Sequence, residues 1–205
     1  MNLKDHWENI YSAMDATQAS WFQDHPTASL EIIERLGLCK SSPIVDVGGG
    51  ASHLVDDLLA EGYSDLTVLD LSSSALAQAR KRLGPAASKV NWIEADVTAA
   101  PFPNHKFAVW HDRAVFHFLT DAADRRRYIE QMRRAVGPGG YVIIAAFAPD
   151  GPSECSGLPV MRYSCRTLEA EFGVDFDLVE RAAETHRTPF DTEQQFVYCR
   201  FRKST

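Results

Sequence analysis

Five short apolar runs, Pro43–Val47, Leu66–Asp70, Val90–Asp96, Phe107–Asp112 and Tyr141–Phe147, alternate with segments of helical periodicity, and this alternation restricts the fold most. The runs are continuous rather than alternating, so each reads as a strand covered on both faces. Between them lie Leu54, Val55, Leu58 and Leu59 at helical spacing, then a serine-capped segment from Ser72 to Pro85. A longer helical pattern packs Tyr128, Ile129, Met132 and Val136 over 121–140, with Gly137-Pro138-Gly139-Gly140 as its stop. An earlier helix carries Leu30, Ile33 and Leu36, with Thr27 as a possible cap. Strands separated by helices require right-handed crossovers and a parallel sheet. The segments Phe176–Pro189 and Glu193–Lys203 read as two antiparallel strands. The expected fold is therefore a doubly wound, mostly parallel seven-stranded α/β sheet with helices on both faces and an antiparallel terminal hairpin.

The length of 205 residues suits one domain. Within it, residues 1–25 form an aromatic N-terminal segment, 40–148 the core, and 149–205 a Gly/Pro-punctuated loop followed by the terminal strands. A net charge of −7 without a basic stripe argues against nucleic acid. The start of the chain lacks an apolar signal core, and no run reaches membrane-spanning length, so a cytoplasmic protein with no membrane partner is expected. Its four cysteines form no CxxC pair and have no suitably spaced histidines, so free thiols and no metal are expected. Oligomeric state is not legible.

The stretch Ile44–Leu54, IVDVGGGASHL, carries the functional information. Three glycines, Gly48, Gly49 and Gly50, follow a strand and open a helix, where missing side chains let a ligand lie against the backbone. In a parallel sheet this is where ligands bind. The dinucleotide pattern GxGxxG fails, since His53 stands at its third glycine, and the lysine of a phosphate-binding P-loop is missing. Asp46, two residues before the glycines, would repel a pyrophosphate but suits a ligand bearing an ammonium group.

IVDVGGGAS resembles the first motif of class I S-adenosylmethionine-dependent methyltransferases, with Ser52 in place of the last glycine. LTVLDLS, IEADVTAAPFP, FAVWHDRAVFHFL and RRAVGPGGYVII resemble the following motifs in order, although Ala108 stands where many relatives have Asp. The resemblance covers about residues 40–148. It implies S-adenosylmethionine as cofactor, Asp70 and Leu71 at the ribose, and Asp96 and Val97 at the adenine. It also implies that Asp112 and Arg113 lie near the methionine portion or the acceptor. A sulfonium methyl is already electrophilic, so alignment and exclusion of water dominate the chemistry. A base is needed only where the acceptor carries a proton at the reaction pH.

His111, His117 and His186 are candidate bases, and His117 equally suits packing among Phe116, Phe118 and Leu119. Arg113 divides between an ion pair with Asp96 or Asp112 and an anionic substrate. Trp7, Tyr11, Trp21 and Phe22 form a candidate lid around the sulfonium, or a hydrophobic anchor. Tyr11, Arg162 and Tyr163 are candidates for binding the acceptor, Arg162 and Tyr163 by reading a carboxylate, and Cys155 for touching a thiophilic one. Methyl transfer to a small molecule is the expected activity. A protein side chain as acceptor and a non-catalytic cofactor-binding module stay open, while Asp46 and His53 disfavour a nicotinamide oxidoreductase.

Overall fold

A computed structural model describes residues 2–204. The chain opens with α1 (Leu3–Ala13) and α2 (Thr27–Glu34), then alternates β1 (Ile44–Val47), α3 (Leu54–Ala60), β2 (Leu66–Asp70), α4 (Ser73–Leu83) and β3 (Val90–Glu94). There follow β4 (Phe107–Arg113), α5 (Ala122–Ala135), β5 (Val136–Phe147), the small ladder β6 (Glu154–Cys155) and β7 (Leu158–Pro159), and α6 (Cys165–Phe172). β8 (Phe176–Arg187) and β9 (Glu193–Lys203) end the chain. The main sheet has seven strands in the order β3-β2-β1-β4-β5-β9-β8. β1 to β5 pair in parallel, and β9 joins β5 antiparallel with β8 outside it. The order reverses at β1, whose next strand in the chain lies on one side and β4 on the other, so the glycine loop stands at the switch point.

The apolar runs bury as their composition requires. All residues of β1 and β2 are buried, and two hydrophobic clusters cover the two faces of the sheet. One contains Trp110, Tyr128, Met132 and Phe172; the other contains Ile33, Leu54, Leu58 and Phe147.

Three local readings are corrected. The helix read over 121–140 ends at Ala135, and Val136 is already extended. Gly137 to Gly140 belong to β5, across an irregularity in its pairing with β4 between Phe107 and Val109. A methyl group at Gly140 would lie 3.2 Å from the Ala108 carbonyl oxygen of β4, so this glycine allows close strand approach rather than only stopping a helix. Thr27 is the first residue of α2, not its cap. Cys165 and Cys199 are not free: α6 packs on β9 and brings their Cα atoms to 5.8 Å, where they form a disulfide. Cys39 and Cys155 are free.

Candidate functional site

Two adjoining cavities follow the carboxyl ends of the strands. The larger, of about 160 Å³, is lined by Ala95–Thr98 after β3, Asp70 and Leu71 at β2 and Gly48 after β1. It continues over Arg113 at β4 and Phe147 at β5 to Phe196 of β9. The smaller, of about 60 Å³, reaches from Tyr11, Trp21 and Arg113 to Ser29, Asp46, Gly49, Ser52 and His111. Gly48, Tyr11, Trp21 and Arg113 border both cavities and mark their junction.

The glycines are a spatial requirement. Gly48 has φ +67°, and a side chain there would collide with Val115. A methyl group at Gly49 would lie 2.5 Å from Asp46 Oδ2, and one at Gly50 2.6 Å from Asp70 Oδ2. The loop therefore rests directly on two acids.

Asp46 is buried, and its Oδ1 accepts from His111 Nδ1 at 2.7 Å. His111 Nε2 lies 2.8 Å from Ser29 Oγ, so the imidazole is held at both nitrogens. Asp70 is 7% exposed and accepts at Oδ1 from the Ser72 amide at 2.8 Å. Burial, the largest influence, pushes its pKa up to about 7, against the opposing effect of that amide. Asp96 Oδ1 accepts from the Thr98 amide and hydroxyl, each at 2.8 Å.

The N-terminal segment covers the junction. Trp7 packs edge-on against Trp21 and Phe118, with centroids 5.7 and 5.1 Å away, and Tyr11 lies 6.1 Å from Trp21. Phe22 borders only the smaller cavity and packs on His53. Glu8 holds α1 onto the start of α4. Its Oε2 accepts from Ser72 Oγ at 2.8 Å and the Ser74 amide at 3.2 Å, while Oε1 accepts from the Ser73 and Ser74 hydroxyls. These bonds, led by that from the Ser74 hydroxyl, bring the Glu8 pKa down to about 2. Gln78 of α4 donates to the carbonyls of Tyr11 and Met14.

Residues 44–140 match the family model of the methyltransferase domain. The matched segment is the sheet core that carries the glycine loop, so this part of the chain is similar to methyltransferase domains.

Among curated relatives, the chain is 26% identical over 137 residues to the mouse (Mus musculus) eEF1A lysine and N-terminal methyltransferase, covering 65% of this chain and 19% of that protein. It is 29% identical over 108 residues to the ubiquinone/menaquinone biosynthesis C-methyltransferase UbiE of Roseobacter denitrificans, covering 51% of this chain and 42% of that protein. The matched segments thus span less than half of either relative.

Solved structures share the fold over nearly the whole chain. A structure reported for conversion of a disulfide bond into a thioacetal group during echinomycin biosynthesis has a TM-score of 0.80 at 18% identity, covering 99% of this chain and 93% of that one. The N-methyltransferase NodS of Bradyrhizobium japonicum, in complex with S-adenosyl-L-homocysteine, has a TM-score of 0.73 at 19% identity, with both chains fully covered. S-adenosylmethionine is the cofactor of the family.

The remaining residues singled out in the sequence separate into two groups. Leu71, Val97, Trp21, Tyr11 and Arg113 meet at the cavities. Asp112, His117, Arg162 and Tyr163 border neither cavity. Asp112 is fully buried and accepts from the Val115 and Phe116 amides and from Tyr128 Oη, so it anchors the turn after β4. His117 packs between Phe118 and Phe147, and burial brings its pKa down to about 3. Tyr163 packs on Phe116, and Arg162 donates to the Gly151 carbonyl. Arg113 pairs with Glu184 rather than Asp96 or Asp112. His186 Nε2 donates to the Ser20 carbonyl at 2.8 Å.

Sequence reasoning missed Glu8, Ser29, Phe147, Glu184, Phe196 and Tyr198. Only the Ser72–Ser74 run gave a signal: three adjacent hydroxyls at a helix start invite an acidic partner.

Proposed function

We propose that the chain binds S-adenosylmethionine across both cavities and transfers its methyl group to a small-molecule acceptor. The carrying observation is the glycine loop resting on Asp46 and Asp70, with one acid bordering each cavity.

The residues fit the cofactor. Asp46, oriented by His111, accepts from the ammonium in the smaller cavity, beside the Gly48 and Gly49 backbone. Asp70 accepts from the ribose hydroxyls through charge-assisted hydrogen bonds once ionised. Asp96, fixed by Thr98, and the Val97 backbone meet the adenine. When bound, the cofactor supplies an electrophilic methyl group. The faces of Trp21 and Tyr11 at the junction favour a cation there and exclude water. Burial raises the Tyr11 phenol well above its ordinary pKa, so it stays protonated.

Trp7, Tyr11, Trp21 and Cys155 enclose the space beside the junction, which favours a small acceptor over a side chain presented on a polypeptide. Incubating the protein with S-adenosylmethionine and fractionated metabolite pools, with the demethylated cofactor quantified, tests the reading. Acceptor-dependent release is expected. Cofactor binding without release from any pool, but with methylation of added protein, would move the acceptor to a polypeptide. Binding without either would leave a cofactor-binding module.

A further inference from the structure

The lining of the larger cavity changes character along the sheet. Over β3 and β2 it presents Asp96 and Asp70; over β4, β5 and β9 it presents Arg113, Phe147 and Phe196, with Phe118 and Cys155 beside them.

Arg113 leans toward this second end. Its Nε donates to Tyr198 Oη at 3.1 Å, and its Cζ lies 4.3 Å from the Phe196 ring centroid, both partners being on β9. Nη1 donates to the Trp21 carbonyl at 3.2 Å. The side chain is 10% exposed, and Nη2 is buried without a hydrogen bond, 3.5 Å from Glu184 Oε2. Glu184 is itself shared with Gln23 and Tyr198. A buried guanidinium with an unused donor is costly unless a ligand completes it.

Among the described residues, no carboxylate or imidazole on β4, β5 or β9 lines the larger cavity, and the nearby Glu184 borders neither cavity and is engaged by Gln23, Tyr198 and Arg113. The Cys155 thiol, its pKa raised by burial, stays neutral. His117 and His186 border neither cavity, and burial lowers the pKa of both. Of the acids lining the cavity, Asp70 and Asp96 stand over β2 and β3, and Asp124 is on the first turn of α5.

We infer that this end receives an acceptor with an apolar, ring-sized body whose nucleophile arrives as an anion, a carboxylate or thiolate, oriented by Arg113. This rests on the methyltransferase reading above. In the transfer, a lone pair of the anion forms the new bond to the methyl carbon as the carbon–sulfur bond breaks. The electron pair of the broken bond stays on the cofactor's sulfur. Sulfonium and anion both become neutral, and no proton moves, so no base is needed. A charge-annihilating step is favoured by an apolar, water-poor cavity. An ammonium acceptor would meet the Arg113 charge and would need a base.

The test is calorimetric binding of three probes sharing one ring, phenylacetate, phenylacetamide and phenethylamine, to protein saturated with S-adenosylhomocysteine. Phenylacetate is expected to bind at least about tenfold tighter than the other two, the scale of one charge-assisted contact. Arg113→Gln should abolish the preference, Arg113→Lys should retain part of it, and Glu184→Gln should enlarge it. Equal binding of the three probes, with S-adenosylhomocysteine still bound, overturns this inference and leaves the methyltransferase reading standing. The same follows if Arg113→Gln weakens S-adenosylhomocysteine relative to adenosine and leaves the probe ranking unchanged, which would assign the guanidinium to the cofactor's carboxylate. Failure of S-adenosylhomocysteine itself to bind overturns both.

Discussion

His111 and Asp46 are register partners on neighbouring strands, and the imidazole Nδ1 donates to the carboxylate across 2.7 Å beneath the glycine loop. The pair fixes one carboxylate oxygen, while Oδ2 lies next to Gly49. If Asp46 meets the ammonium group, Asp46→Asn weakens S-adenosylmethionine by about tenfold or more and leaves adenosine nearly unchanged. Parallel titrations of both ligands decide this; equal losses would make Asp46 a support for the loop alone.

If Asp70 holds the ribose, it imposes a pH dependence on cofactor binding. Its pKa is raised to about 7, and ribose hydroxyls donate best to the ionised carboxylate. Cofactor affinity should therefore rise between about pH 6 and 8, by at most about tenfold per unit below the pKa. For the empty protein, a raised carboxylate pKa gives stability that is present below the ordinary value of 3.8 and lost as pH rises through 7. Asp70→Asn should accordingly raise Tm at pH 8 and leave it unchanged near pH 3. Asp112, raised to about 6 chiefly by burial, acts in an overlapping window, so comparison with the variant isolates Asp70.

His117 works in the opposite direction. Its folded pKa of about 3 lies below the ordinary 6.5, so the stability it contributes is present above pH 6.5 and is lost as pH falls toward 3. The slope approaches about 1.4 kcal/mol per pH unit in that window. Denaturant titrations at several pH values should show His117→Asn less sensitive to acid than wild type. Equal slopes would mean that the imidazole is protonated in place.

Glu8 ties α1 to the start of α4. With a pKa near 2, it stays ionised throughout the neutral range, so the contact with Ser72–Ser74 persists there. Glu8→Ala should speed amide exchange over residues 3–13 and weaken the cofactor several-fold, because the cover over the junction loosens. Unchanged exchange would show that the aromatic packing of Trp7, Tyr11 and Trp21 suffices to hold the segment.

The core was legible because its signals are local. Each parallel strand is a short apolar run, Ser72 and Gly84 mark the two ends of α4, and Gly62 follows the end of α3. The run Gly137–Gly140 misled because glycine and proline after a helix read as a stop, whereas here the strand begins at once and uses the missing side chains to approach β4. Acids beside glycines were visible in sequence, but their partners were not. His111 reaches Asp46 only through the β1–β4 register, and Arg113 reaches Tyr198 and Glu184 only after β8 and β9 return to the sheet edge. Cys165 and Cys199 are 34 residues apart and meet only when α6 packs on β9. Long-range pairings of this kind leave no periodicity.

Asp70 tests the central claim most directly, since the proposed cofactor recognition rests on ribose contacts to this carboxylate while Ser72 caps α4 through its own side chain. Calorimetric titration of S-adenosylmethionine into wild type and Asp70→Ala, with melting curves of both empty proteins, separates recognition from folding. Losing two charge-assisted hydrogen bonds, partly replaced by water, should cost roughly 2–4 kcal/mol, about 30- to 1000-fold in affinity, with no loss of Tm. Wild-type affinity in a well-folded Asp70→Ala protein would contradict the account.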